Sequence, residues 1–250
     1  MGGRSSGGDG QFRPRRDSEV FLPIGRFIAL AATVGLTLAA AAPAHAAQRA
    51  CGSSTYSYAG LQGIHKSHGV AATLTPLAPP KVTAGHVAAW VGVGWAGGGP
   101  NGQDEWIQVG ITAEPGYTTT KIYYEIVAPG APYRYTEIGD AQVGRRHRLT
   151  VLEMEHHPNW WRAWVDGRPV TDPVFLPKSH GAWEPIATAE SWNGDVRACN
   201  SLAYRFENVA WSRRAGGWWQ WLTGGFKFQD PGYRVVRPAA RTFLALSRLL

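Results

Sequence analysis

The sequence predicts an all-β fold, an antiparallel β-sandwich, from three observations. Its 250 residues include 31 Gly and 17 Pro, which are too many helix breakers for a helical bundle. Hydrophobic residues make up 44% of the chain and charged residues 17%, which excludes a disordered chain and allows a sizeable core. Short apolar segments recur between clusters of turn residues, and no comparable helical period occurs before residue 235.

Eight strands are predicted in the body of the chain, and each is bounded by turn residues. In chain order they span residues 70–74, 87–93, 106–111, 122–127, 148–155, 160–165, 183–191 and 203–211. The strongest turn signal is Asp166-Gly167, because this pair between apolar runs fits a type I′ hairpin turn. No crossover helices separate the strands, so we expect them to pair antiparallel.

The basic excess lies at the two ends of the chain. The net charge is +7, but residues 47–212 carry 13 basic and 14 acidic side chains. Residues 213–250 carry seven basic side chains and one acid. A nucleic-acid groove on the body would need clustered positive charge, so we expect no nucleic-acid partner.

The first 46 residues have the features of a secretory signal peptide. Arginines precede an apolar run over residues 27–42, and Ala44-His45-Ala46 forms a small-x-small cleavage site. The alternative is an uncleaved membrane anchor, for which the run is short. The sequence therefore predicts a signal peptide over 1–46 and a secreted, extracellular protein.

Two cysteines, Cys51 and Cys199, remain in the predicted mature chain. A lone pair in an oxidising compartment most often forms one disulfide, which we expect here. The sandwich domain is predicted to span 47–212. Residues 213–250 are predicted to form a short basic, aromatic tail that either contacts an anionic envelope as an amphipathic helix or simply docks.

Signatures of several enzyme classes do not occur in the sequence. It has no Walker loop or HExxH motif. A GxSxG pattern occurs at 3–7, within the predicted signal peptide, and the glycines of the GxGxxG patterns at 92–102 lack a strand–turn–helix context and are interpreted as a hairpin loop. His65 and His68, or His156 and His157, could contact a metal, but the second pair resembles a turn. Glu153 and its same-face neighbour two residues later are interpreted as surface acids. We therefore expect no cofactor and no metal site.

Strand alternation predicts one face that combines aromatic and polar side chains. In each of four strands the aliphatic residues share one face, and aromatic or polar residues lie on the other. The residues on the second face are Trp90, Trp106, Gln108, Tyr123, Glu125, Glu190 and Trp192. This face is either an outward, Trp-lined groove or part of a thick core.

Several motifs in these strands resemble those of the eqolisins, the glutamic peptidases. The matching segments are YAG at 58–60, AWVGV at 89–93, WIQVGI at 106–111, YYE at 123–125, AESW at 189–192 and the strand at 202–209. They occur in the family's order across about residues 55–211. The resemblance implies a concanavalin A-like β-sandwich, or jelly roll.

The resemblance also implies a function. Gln108 and Glu190 would be the catalytic pair, in which the glutamate activates a water at acidic pH and the glutamine stabilises the oxyanion. The other five residues of the face would contact a polypeptide substrate. The alternative is a non-catalytic carbohydrate-binding or envelope-associated module, because residues 160–167 resemble the Trp-rich Asp-Gly hairpin of lectin-like sandwiches that bind a glycan.

Overall fold

A computed structural model describes residues 51, 55–194 and 199–247. The predicted signal peptide at 1–46 lies outside these residues. Over the described ranges the chain forms β-strands and one 3₁₀ turn at Pro100–Gly102, and none of it forms a helix of the length and apolarity needed to cross a membrane.

Eighteen strands follow one another along the chain. They are β1 (Tyr56–Gly63), β2 (Gly69–Pro76), β3 (Lys81–Val82), β4 (His86–Trp95), β5 (Glu105–Ala113), β6 (Thr120–Val127), β7 (Arg134–Ala141), β8 (His147–Glu153), β9 (Trp160–Val165), β10 (Arg168–Pro169), β11 (Val174–Phe175), β12 (Ile186–Trp192), β13 (Asn200–Ser201), β14 (Ala203–Ser212), β15 (Trp219–Trp221), β16 (Gly225–Gln229), β17 (Tyr233–Ala239) and β18 (Thr242–Ser247).

The strands form two large antiparallel sheets. The front sheet has the order β16-β1-β12-β4-β5-β6-β7. The back sheet has the order β10-β9-β8-β2-β14-β18-β17, with β11 added to β9 and β15 added to β14. A small ribbon of β13 and β3 completes the fold. The predicted antiparallel β-sandwich is thus confirmed.

The core lies between the two sheets and is built by side chains of alternate parity. On the front sheet, β4 and β5 direct their odd-numbered Val and Ile side chains, such as Val91 and Val109, into the core. The back sheet contributes Val70, Leu74 and Leu149 to the same core. All five are fully buried, so the even-numbered residues of β4 and β5 face outward.

All eight predicted strands are present; β9 has the predicted ends, and the others differ by one or more residues at one or both ends. For example, β8 ends at Glu153 two residues before the predicted end, because a turn with His156 at φ 60° follows it. The Asp166-Gly167 turn has φ values of 50° and 78°. Positive φ at both residues is what a type I′ turn requires, and it connects β9 to β10 as predicted.

The C-terminal segment corrects the predicted domain boundary at 212. Residues 213–247 do not form a separate tail or a surface helix but contribute β15, β16, β17 and β18. Strand β16 pairs with β1 on the front sheet, while β18 pairs with β14 on the back sheet. Phe243 of β18 is buried and stacks on Phe206 with ring centroids 4.3 Å apart. The segment is therefore part of the sandwich core.

The predicted disulfide is present between Cys51 and Cys199, which are 148 residues apart in sequence. It joins the segment before β1 to the segment before β13. A loop of this length corresponds to about 5 kcal/mol of stabilisation as an upper figure in the chain-entropy model.

Candidate active site

The outer face of the front sheet holds all seven residues that the sequence placed on one face. They occur on four strands that are neighbours in the order β12-β4-β5-β6. Residues two positions apart on a strand point to the same side, and neighbouring residues such as Val91, Ile107 and Ala189 belong to the core between the sheets. The face therefore lies on the side of the front sheet away from that core, where Trp90 and Tyr123 form part of a second, smaller cluster of buried side chains.

Glu190 lies on β12 and is held by two hydrogen bonds. Trp90 Nε1 on the adjacent strand β4 donates to Glu190 Oε2 at 2.9 Å. His86 Nε2 lies 3.2 Å from Glu190 Oε1. The carboxylate is only 6% exposed, so these two donors stabilise a charge that burial disfavours.

Gln108 lies on β5 and has a different set of partners. Its Nε2 donates to Tyr123 Oη and to Glu125 Oε2, both at 3.0 Å and both on β6. Glu125 Oε1 also accepts a hydrogen bond of 3.0 Å from Trp106 Nε1. In this state both amide hydrogens of Gln108 are engaged, and the amide orientation is fixed by its neighbours.

The pair Gln108 and Glu190 is separated by one strand. Strand β4 lies between β12 and β5, and Trp90 on β4 donates to the glutamate. The two side chains share the face without bonding to each other directly.

Two glycines create the space that these side chains occupy. A Cβ at Gly110 would lie 2.7 Å from Trp90 Cβ and 2.7 Å from a ring carbon of Tyr123. A Cβ at Gly92 would lie 2.8 Å from Gln108 Cβ. These distances are too short for any side chain, so glycine at both positions permits the aromatic rings and the amide to lie flat on the sheet.

The electrostatics of the face are dominated by two carboxyl groups. Burial raises the pKa of Glu125 to about 7, and the charge of Glu190 adds to the increase, while the hydrogen bonds from Trp106 and Gln108 oppose it. For His86, burial lowers the pKa, but the hydrogen bond and the charge of Glu190 outweigh it and the net pKa is raised. Glu125 is therefore protonated through the acidic range.

An aromatic rim surrounds the carboxyl groups. Trp192 is half-buried and its ring lies 5.7 Å from His86 and 6.4 Å from Tyr56. Tyr56 and Tyr133 are 37% and 58% exposed. Burial and the nearby Glu190 and Glu125 charges raise the pKa of both tyrosines, which keeps them neutral. The rim offers apolar and hydroxyl surface to a ligand.

Two of the five residues that we expected to contact substrate are buried. Trp90 is 7% exposed and Tyr123 is 1% exposed, because each packs beneath the surface and bonds to the glutamate or the glutamine. Trp90 and Tyr123 therefore hold Glu190 and Gln108 in position. Trp106, Glu125 and Trp192 are half-buried and reach the surface of the face.

Sequence reasoning missed His86 and the tyrosines of the rim. His86 shares its parity with Trp90, and it lies directly opposite Trp192 in the β4–β12 register. The sequence does not give the pairing of β4 with β12, which is what brings His86 next to Trp192. Tyr135 lies opposite Glu125 on β7, a strand that the sequence did not predict.

The fold is similar to that of a glutamic peptidase. The crystal structure of scytalido-glutamic peptidase with a peptide-based transition state analog matches with a TM-score of 0.53 at 17% identity, covering 78% of this chain and 98% of that chain. SCP-B, an eqolisin in complex with the tripeptide Ala-Ile-His, has a TM-score of 0.46 at 15% identity with the same coverage. Bacillus licheniformis β-glucanase has a TM-score of 0.35 at 12% identity, covering 73% and 64%.

No family model matches the sequence, and no curated protein matches it. At 17% identity the similarity to the peptidase establishes the fold. The chain therefore has a concanavalin A-like β-sandwich fold that is similar to the fold of scytalido-glutamic peptidase.

Proposed function

We propose that this chain is a secreted hydrolase of the glutamic endopeptidase type, which cleaves peptide bonds of a polypeptide at acidic pH through Glu190 and Gln108. The observation that carries the proposal is the outward face on which these two side chains are each fixed by buried aromatic donors or acceptors. A fixed carboxylate and a fixed amide on one face are the groups that water-mediated hydrolysis requires.

In the proposed reaction Glu190 is the general base. A water molecule bound between the glutamate and the glutamine loses a proton to Glu190 as its oxygen attacks the scissile carbonyl carbon. The contacts with Trp90 and His86 hold the Glu190 carboxyl group in position for the attack. When the C–N bond breaks, the carboxyl group returns the proton to the leaving amine.

Gln108 is the proposed oxyanion donor, and Glu125 controls it. A charged acceptor binds the amide N–H more strongly than a neutral one. Because the pKa of Glu125 is raised to about 7, this group is neutral at acidic pH and competes less for Gln108 Nε2. One N–H can then turn to the developing oxyanion, which gives a physical reason for activity at low pH.

The test is digestion of a denatured protein by the purified mature chain between pH 3 and 5. We expect kcat/KM to fall about 100- to 1,000-fold in Gln108→Ala and by about 100-fold or more in Glu190→Gln. Gln103→Ala and Glu155→Gln are matched controls, since both side chains are exposed away from the face.

Circular dichroism and urea unfolding establish that the variants are folded. The proposal fails if the folded wild-type chain cleaves no denatured protein over this range, or if Gln108→Ala and Glu190→Gln retain full activity.

Secretion is part of the proposal. The disulfide between Cys51 and Cys199 supports an oxidising compartment, because such bonds are rare in the cytosol. Residues 1–46 would act as the signal peptide. Secretion is checked by recovery of a chain that begins near residue 47 from the culture medium.

A non-catalytic carbohydrate-binding or envelope-associated module is the second candidate function. It is favoured by exposed tryptophans on and before β15, where Trp218, Trp219 and Trp221 are 67%, 39% and 42% exposed. Arg214 and Arg241 lie over two of these rings at 5.0 and 4.2 Å. Glycan or anionic-vesicle binding that survives Glu190→Gln but is lost in Trp218→Ala would support this module.

A further inference from the structure

A second cluster of titratable side chains lies on the back sheet, outside the proposed active site. Glu153, the last residue of β8, is fully buried and lies between two histidines. His68 Nδ1 is 2.5 Å from Glu153 Oε2, and His180 Nδ1 is 2.9 Å from Glu153 Oε1. The three potential ligand atoms lie within 4.8 Å of one another. We call these residues the histidine cluster.

Backbone contacts hold the histidine cluster in place. The Glu153 backbone N–H donates to the His68 carbonyl at 2.8 Å. The Asn159 N–H donates to Glu153 Oε1 at 2.6 Å, and Asn159 Oδ1 accepts from the His180 N–H at 2.9 Å. Three separate segments are thus tied to one another around the carboxylate, and such outer contacts orient the ligands of metal sites.

Glycine also contributes at this position. Gly181 has φ +57°, and a Cβ there would lie 3.2 Å from a ring carbon of His68. Its lack of a side chain allows the loop that carries His180 to approach the His68 ring, so that the two imidazoles meet edge to face with centroids 4.7 Å apart. Both ring Nδ1 atoms therefore converge on the same carboxylate.

We propose that His68, Glu153 and His180 bind a divalent cation of the Zn²⁺ type. Two imidazole nitrogens and one carboxylate are a donor set that suits Zn²⁺ and related transition metals better than Mg²⁺ or Ca²⁺. Bonds of about 2.1 Å place tetrahedral ligand atoms about 3.4 Å apart. To accept the ion, His68 Nδ1 and Glu153 Oε2 must separate from 2.5 Å, and ligand atoms as much as 4.8 Å apart must approach by up to about 1.4 Å. Each neutral imidazole binds the ion through the Nδ1 lone pair, and the proton that Nδ1 carried moves to Nε2; a doubly protonated ring instead gives its Nδ1 proton to solvent.

The cluster is open on one side. The His180 side chain is 51% exposed and that of His68 is 17% exposed, while the carboxylate has no exposure. A cation can therefore enter past His180, and a water molecule would complete its coordination. The alternative is that hydrogen bonds alone, without a metal ion, join the three side chains.

The experiment uses the chelator-treated full mature chain. Titration calorimetry should give one Zn²⁺ per chain, and free Zn²⁺ at 100 times its Kd should raise Tm by about 5–10 °C. Co²⁺ bound at the same site should show visible d–d absorption. His180→Gln keeps a hydrogen-bond donor and removes the imidazole ligand, so we expect its metal-free Tm to match the wild type and its Zn²⁺ affinity to fall more than about 10-fold.

His156→Ala is the matched control, because this histidine has a side chain that is 88% exposed and lies on the neighbouring turn. It should retain the full Zn²⁺ effect. The proposal is overturned if Zn²⁺ does not bind stoichiometrically, if His180→Gln binds it equally well, or if Mg²⁺ raises Tm as much as Zn²⁺ does.

Discussion

Glutamates in the two sheets of the sandwich have different neighbours. On the front sheet, Glu125 and Glu190 share one face, and burial together with the charge of Glu190 raises the pKa of Glu125 to about 7. On the back sheet, Glu153 accepts hydrogen bonds from two histidines and one backbone N–H. Glu125 therefore retains a proton near neutral pH, whereas Glu153 is surrounded by hydrogen-bond donors.

This difference has a structural cause. On the front sheet, strand pairing brings two glutamates to one face. Glu125 lies on β6 directly opposite Gln108, and Glu190 reaches the same face from β12. On the back sheet, strand β8 ends at Glu153, where the segments that carry His68 and His180 approach its carboxylate. The two front-sheet glutamates thus lie within strands, whereas Glu153 lies at the end of one.

The largest expected effect comes from matched Glu→Gln substitutions in the two sheets. Glu153→Gln removes a charged acceptor from two imidazoles and should lower the free energy of unfolding by about 2 kcal/mol at pH 7. Glu125→Gln removes a charge that its surroundings oppose, so we expect no loss at pH 5 and a gain at pH 8. Urea denaturation at both pH values measures the four differences.

The sign for Glu125 follows from linkage. Its folded pKa of about 7 is above the ordinary glutamate value, so the folded state binds more protons and its contribution to stability is lost as pH rises from about 4.5 through 7. Equal losses for Glu153→Gln and Glu125→Gln would remove the distinction between the two sheets.

Most of the fold follows from local sequence patterns, but the edges of the sheets do not. Strands with one aliphatic face, such as β4 and β5, were predicted because their alternation is strong. Strand β7 is an exposed edge strand of mostly polar residues, so its pattern gave no signal. In β18, Leu244 and Leu246 are half-buried between buried neighbours, and this unbroken apolar run concealed the period of two.

Alternation along each strand was enough to place the front-face residues on one side. Their contacts could not be predicted, because they depend on the register between paired strands. The hydrogen bond between Gln108 and Glu125 joins residues 17 positions apart on paired strands. The histidine cluster lay beyond sequence reasoning altogether, because His68 and Glu153 are 85 residues apart. The sequence suggested His68, together with His65, as a possible metal contact. The interpretation of Glu153 as a surface acid is wrong, because its side chain is fully buried in the folded chain.

Glu105 provides a reference that has neither a charged neighbour nor a donor. It is fully buried at the start of β5, and neither carboxyl oxygen has a hydrogen-bond partner. Burial raises its pKa to about 7. Since the folded state again binds the extra proton, stability from this group is present below about pH 4.5 and falls as pH rises to 7.

Glu105→Gln should therefore be more stable than the wild type at pH 8 by about 1–3 kcal/mol, with little difference at pH 4. Urea denaturation of the two proteins at both pH values tests this, because the other titrating groups cancel in the difference. An advantage of the same size at pH 4 and pH 8 would mean that the charge of Glu105 carries no cost.

The smallest expected effect compares the histidine of the front sheet with those of the back sheet. His86 and Glu190 are 3.2 Å apart, and the His86 side chain is 26% exposed. Solvent therefore weakens their interaction, and we expect a coupling energy of about 0.5 kcal/mol from a double-mutant cycle of His86→Gln and Glu190→Gln. Because Glu190 raises the pKa of His86, the coupling is present below pH 6.5 and disappears as pH rises through the folded value. The equivalent cycle of His68→Gln and Glu153→Gln should give a larger energy, since the His68 side chain is only 17% exposed and that carboxylate is fully buried. Equal coupling energies at the two sites would show that burial of the glutamate does not set the strength of its histidine contact.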